Sequence, residues 1–181
     1  MKPLFTVHAG EYVVGSYIEK HFKRVHVWVP SRDTGVDLLV SDSRNRRAVS
    51  LQVKFSKDFL YTRGPEFQKH LRFCGWWTVN QKKLRTSRAD LWVFVAYGLA
   101  GRPPDFVIIP PRVLWARLRS VHGSQKTFQS YLWVTKANDC WEARGLKMDD
   151  QLRITRGTFR ARRRDFSRWL NKWAPLAALN Q

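Results

Sequence analysis

The residues best placed to do chemistry are Glu11, Asp37, Gln52 and Lys54. Asp37 is a lone carboxylate inside Val36-Asp37-Leu38-Leu39-Val40, a β-rich run of a kind from which charge is normally depleted. Further on, Val49, Leu51, Val53 and Phe55 alternate with Ser50, Gln52, Lys54 and Ser56. Period-two alternation puts Gln52 and Lys54 on one face, about two residues' rise apart. Taken alone, that strand reads as half-exposed with a solvated polar face. A hairpin joining it to the strand of Asp37 changes the reading, because it brings the carboxylate to Gln52 and Lys54. Glu11 adds a second acid. It shares a helical stripe with Gly15, Ile18 and Phe22, which aims it at the packed side, although a glutamate in a first turn is also favoured by the helix dipole.

A hard cation such as Mg2+, or Mn2+ in its place, wants oxygen ligands, usually one or two carboxylates with water and substrate phosphate. Asp37 is the expected central ligand, the Gln52 carbonyl a second, and Glu11 a third or the holder of a bound water. Lys54 would offset charge developing on a phosphate or help deprotonate an attacking water. The product would be a hydrolysed phosphodiester.

The elements that must position these groups are legible in outline. Spacing predicts a helix over 11–24, strands over 25–29, 36–40 and 48–55, and a polar hairpin loop at 41–47. Beyond Phe59 the pattern loosens into a Trp- and Lys-rich stretch. An almost continuously apolar strand over 90–97 implies burial on both faces. A strand over 105–109 follows, then a helix opening at Pro111. The last sixty residues hold a strand-like 131–134 and an expected helix near 158–173. The order implies α/β class, an α/β/α sandwich around one mixed sheet. It forms a single domain over 1–181, with a core at 8–122 and a basic C-terminal extension at 123–181.

Of the 181 residues, 33 are Lys or Arg and 14 are Asp or Glu, a net charge of +19, while 44% are hydrophobic and nine are tryptophan. So apolar a chain fills a core, which excludes disorder of the charged, low-hydrophobicity kind. The charge excess points to a polyanion, nucleic acid ahead of an anionic membrane. Three basic clusters stand out: Arg44, Arg46 and Arg47 in the hairpin loop; Lys82, Lys83, Arg85 and Arg88; and Arg160, Arg162, Arg163, Arg164 and Arg168 along the expected final helix. Cys74 and Cys140 stand in unlike surroundings and read as reduced core thiols. From Met1 to Phe5 the chain runs on to Glu11 before any signal-length apolar stretch develops, and no apolar run reaches bilayer-spanning length. The expectation is a soluble, intracellular, cytoplasmic protein with no membrane partner.

Gly10-Glu11-Tyr12, Gly35-Val36-Asp37-Leu38-Leu39-Val40 and Leu51-Gln52-Val53-Lys54 together resemble the PD-(D/E)XK nuclease superfamily. That group includes restriction enzymes, archaeal-type Holliday junction resolvases and a small set of homing endonucleases. The resemblance covers roughly residues 8 to 56. It implies a restriction-endonuclease-like fold with a central mixed five-stranded sheet, a helix-borne glutamate at Glu11, a metal aspartate at Asp37 and a motif lysine at Lys54. Two departures accompany it: Asp37 follows valine rather than proline, and Gln52 stands where an acid is usual, as in some homing-type and resolvase-like branches. Glutamine keeps a ligand oxygen but removes one negative charge. The leading expectation is a Mg2+-dependent endonuclease acting on double-stranded DNA. Cutting both strands with one site per chain calls for a symmetric homo-oligomer, a dimer or tetramer. The alternatives are a non-catalytic nucleic-acid-binding protein on a nuclease-like fold, for which Gln52 argues, and an RNA-binding protein, against which the lack of an aromatic RNA-recognition motif argues.

Overall fold

A computed structural model describes residues 8–32, 34–98, 102–179 and 181. The expectations for Met1–Phe5 and Asp33 lie outside the described residues. The protein is α/β, built on a mixed five-stranded sheet. Its first half is α1 (Ala9–His21), β1 (Val25–Trp28), β2 (Leu38–Asp42) and β3 (Ala48–Ser56), followed by α2 (Pro65–His70), β4 (Leu71–Asn80) and α3 (Gln81–Arg85). The second half holds β5 (Leu91–Ala96), β6 (Asp105–Ile109), α4 (Pro111–His122), β7 (Thr127–Thr135), β8 (Cys140–Glu142), α5 (Met148–Thr155) and α6 (Ala174–Ala177). Strand order in the main sheet is β1-β2-β3-β5-β6, with β3 and β5 parallel and every other neighbour antiparallel. β5 lies next to β3 and is buried along its whole length, as its continuous apolar run requires.

One face of this sheet packs against α1 and the C-terminal residues: Val14 and Ile18 meet Leu38, Val40, Leu51, Val93, Phe106, Trp173 and Leu176. The other face is covered by α3, α4 and a second sheet of order β4-β7-β8, through Phe73, Trp77, Leu84, Trp92, Phe94, Leu114 and Phe166. The second flank of the sandwich is therefore part sheet, not helix alone. β4 is the strand hidden in the loosened Trp-rich stretch. Its pairing with β7 shifts register between Leu71 and Phe73, which breaks the alternation a strand would otherwise advertise.

Residues from 123 onward are woven into the body rather than appended to it. β7 is the middle strand of the second sheet, and Leu170 bridges to Val107 on the edge strand β6.

The expected helix over 158–173 is absent, replaced by two short 3-10 turns at Arg162–Arg164 and Ser167–Trp169. The cause is tertiary. Arg117 on α4 donates from one guanidinium nitrogen to the carbonyls of Arg162 (2.8 Å), Arg163 (3.2 Å) and Asp165 (2.7 Å). Carbonyls held by a side chain do not need the amides of a following helical turn. Among the described residues, no helix is long and apolar enough to cross a membrane.

Candidate active site and nucleic-acid interface

Close approach of α1 to β3 makes the site possible. Gly10 is buried, and a Cβ there would sit 2.9 Å from the Cβ of Phe55 and 3.3 Å from a methyl of Val53. With hydrogen in that place, the first turn of α1 lies directly on β3. Glu11, the next residue, is then only 4% exposed and turned into a cavity. Gly35, in the left-handed region at φ +82°, turns the chain into β2 just ahead of Asp37. The amide of Asp37 donates to Leu51 O at 2.8 Å, locking the aspartate across from Gln52.

Asp37 is buried and doubly fastened. Its Oδ2 accepts from the Val53 amide at 2.7 Å and from the Gln52 side-chain nitrogen. The second carboxylate oxygen is used by neither bond. Lys54 lies on the same face of β3, its ammonium 5.3 Å from the centre of the Trp92 ring, and Trp92 is itself held by a 2.9 Å bond from its indole nitrogen to Ser87 Oγ. Glu11, Asp37, Gln52 and Lys54 thus line one cavity of about 1020 Å³. The four residues singled out from the sequence are brought together.

Its opposite wall is basic and polar, with Asn80 from the end of β4, Lys83 from α3, and Thr86 and Arg88 from the segment after it. Asn80 caps α3 by accepting from the Lys83 amide at 3.0 Å. Trp92, Ser87 and His8 also line the cavity, and sequence reasoning missed all three as part of the site. Trp92 reaches Gln52 only through the parallel β3–β5 register, a long-range pairing with no local signal. His8 at the start of α1 stood in the sequence as one scattered histidine among five.

The donors suit a hard cation: two carboxylates and an amide oxygen, with no thiolate. Among the described residues there is no group of three or more His, Cys, Asp and Glu side chains arranged for a metal, and here the third donor is an amide. Gln52 directs its nitrogen at Asp37. A half-turn of the amide places its oxygen there instead, and a cation between the two would favour the turned form.

Another acid near the hairpin, Asp42, has a structural task. It accepts from the Arg46 amide (2.8 Å) and the Arg47 guanidinium (3.2 Å). The Arg46 amide is the main cause that holds its carboxyl below the ordinary value; desolvation opposes this and Arg47 assists. Arg44 and Arg46 remain exposed at the tip of the turn.

The C-terminal arginines do not form one helical face. Arg160 bonds to the carbonyls of Gly157 and Phe159, and Arg164 to those of Glu142 and Arg144. Arg162, Arg163 and Arg168 are exposed. Arg162 and Arg163 border a groove of about 580 Å³ along α4, lined also by Arg112, Val113, Ala116 and Arg117. Lys82 and Lys83 separate in role: Lys83 lines the cavity, and Lys82 lies outside it on α3. Compared with protein-family models, curated proteins and solved structures, the chain finds no match.

Proposed function

We propose that the chain is a divalent-cation-dependent endodeoxyribonuclease of the PD-(D/E)XK type, acting on double-stranded DNA. The observation that carries this reading is the meeting of Glu11, Asp37, Gln52 and Lys54 in one cavity of a chain with net charge +19. Asp37, Gln52 and Glu11 would hold Mg2+, or Mn2+ in its place. A bound cation of this kind supplies polarisation of the phosphate and a lowered pKa for nearby water.

Lys54 meets the charge that grows on the phosphate oxygens, in a cavity whose buried walls strengthen such contacts. Glu11 orients the attacking water. Lys83 and Arg88 grip the flanking phosphates from the facing wall. Water oxygen adds to phosphorus, one P–O ester bond breaks, and the proton released by the water ends on the departing alkoxide. Two cuts in a duplex then call for two chains, so a homo-oligomer belongs to the proposal.

A second reading, a nucleic-acid-binding protein without catalysis, is favoured by the Gln52 amide standing beside Asp37 in place of an acid. Incubating the protein with supercoiled and linear DNA, with and without Mg2+, separates the two. Hydrolysis only with the cation is expected, and Asp37→Ala and Lys54→Ala should each abolish it while leaving salt-sensitive DNA affinity broadly intact. Cleavage that survives in Asp37→Ala would sink the site assignment. Binding without hydrolysis of any substrate would favour the second reading.

A further inference from the structure

The face of the main sheet that carries Gln52 and Lys54 continues past the cavity onto β2 and β1, where it lies open. Trp28 stands opposite Leu39, and Leu39 opposite Ser50, in one cross-strand row. Alternation puts all three on the face of Gln52, and Leu39 is two residues along β2 from Asp37, about 7 Å. Trp28 is 50% exposed and Leu39 36%, with His26 exposed beside them.

The indole is nonetheless held in place. Its nitrogen donates to Ser41 Oγ at 2.9 Å, and Ser41 donates to Asn45 Oδ1 at 2.7 Å. Asn45 sits at φ +54° in the turn that also presents Arg44 and Arg46. A large, pinned, solvent-facing ring next to a candidate phosphodiester site, bordered by arginines, has a chemical complement.

We infer that this face is a stacking platform for an unpaired nucleobase adjoining the scissile phosphate, an inference that rests on the nuclease reading of the cavity. Bases inside a duplex hide their faces in the stack, so an aromatic platform engages a base only once it has left the helix. The arginines of the turn then meet the sugar–phosphate chain of that nucleotide. A second copy of this protein is the poorer complement. One tryptophan and one leucine ringed by His26, Arg44 and Arg46 fall short of the roughly 800 Å² per partner that a stable protein interface buries. The preferred substrate would be DNA with a forked, flapped or extruded nucleotide one or two positions from the cut.

The test uses the full chain in chelator, so that binding is read apart from hydrolysis. Fluorescence anisotropy compares a fully paired duplex with the same duplex forked at one end, for the native chain, Trp28→Ala and Trp28→Phe. The native chain should favour the fork. Trp28→Ala should lose roughly tenfold or more on the fork and little on the paired duplex, while Trp28→Phe keeps most of the preference. A 2-aminopurine at the unpaired position should be quenched by the native chain, a readout that needs no variant to fold. Equal affinities of the native chain for both DNAs, or unquenched 2-aminopurine, would overturn the platform. So would a fall in the mass of the native oligomer on Trp28→Ala by light scattering, since a second copy would then be covering the ring. If the pattern appears in a chain that never hydrolyses DNA, the catalytic reading fails and the platform stands. A chain that cleaves without the pattern loses the platform alone.

Discussion

Gln52 is the residue on which the proposed chemistry turns. Its side-chain nitrogen donates to Asp37 Oδ2, so the pair is stable without a cation, a neutral amide satisfying a buried carboxylate. An acid in that place would set two carboxylates face to face, which costs stability unless a cation lies between them. Gln52→Glu should therefore melt below the native chain in chelator, regain much of that loss on adding Mg2+, and need less Mg2+ for half-maximal cleavage. Identical melting of the two chains across Mg2+ concentrations would show that position 52 faces no cation. The cysteines make the opposite case, of reactive groups with nothing to react with. Cys74 and Cys140 are both free and buried, and burial raises both thiols above their ordinary value; Arg63 opposes the rise at Cys74 and Asp58 adds to it, while Glu142 adds to that at Cys140. The thiolate is the reactive form, so neither should take up iodoacetamide at neutral pH until the chain is unfolded.

At the scale of elements, the site depends on how closely α1 lies on β3. Gly10→Ala would add helix propensity, worth up to about 1 kcal/mol. Against it stands a Cβ-to-Cβ approach of 2.9 Å to a strand with no slack, an overpacking of the kind that costs about 1–3 kcal/mol. The clash should win: a lower melting temperature, and cleavage reduced because Glu11 is lifted away from Asp37. A variant as stable and as active as the native chain would show that α1 can retreat freely.

The same scale explains what the sequence disclosed. α1, β1, β2, β3, β5, β6 and α4 were readable because each follows one period and ends at a turn signal, and they alone bring Glu11, Asp37, Gln52 and Lys54 together. β4 was not readable, because a register shift near its start and the Trp76-Trp77 doublet disturb its alternation. The helix expected over 158–173 failed for a different reason. Its local pattern is helical, but Arg117, more than forty residues away, takes the carbonyls that helix would have used. Trp92 and the facing wall of the cavity belong to the same class of facts, since each is placed by pairing between distant segments.

The net charge of +19 acquires a geometry only in the whole molecule. Gln52, Trp92 and Ile109 form one row across β3, β5 and β6, Asp37 extends it from just before β2, and α4 leaves the sheet directly after Ile109. Three strand spacings cover about 14 Å, and the first turn of α4 adds about 5 Å. The groove lined by Arg112, Arg117, Arg162 and Arg163 therefore begins within about 20 Å of Asp37, a span of at most about 6 base pairs. On the nuclease reading, a duplex centred on the cavity would reach the groove with one flank. Arg117 is already committed to backbone carbonyls, and losing water on burial is the main reason its guanidinium pKa lies below the usual value. Arg112, Arg162 and Arg163 are exposed, and the last two form a pair on the C-terminal segment that would reach phosphate together. Each phosphate neutralised contributes about 0.9 to the slope of log affinity against log salt. Replacing both arginines with alanine should lower that slope by about 1.8 on a 20-base-pair duplex. Cleavage at saturating DNA should stay unchanged, because neither residue touches the reacting phosphate. The melting temperature should also hold, since Arg117 grips their carbonyls and not their side chains. An unchanged slope with reduced cleavage would place the DNA elsewhere and return Arg162 and Arg163 to the role of a solvated surface.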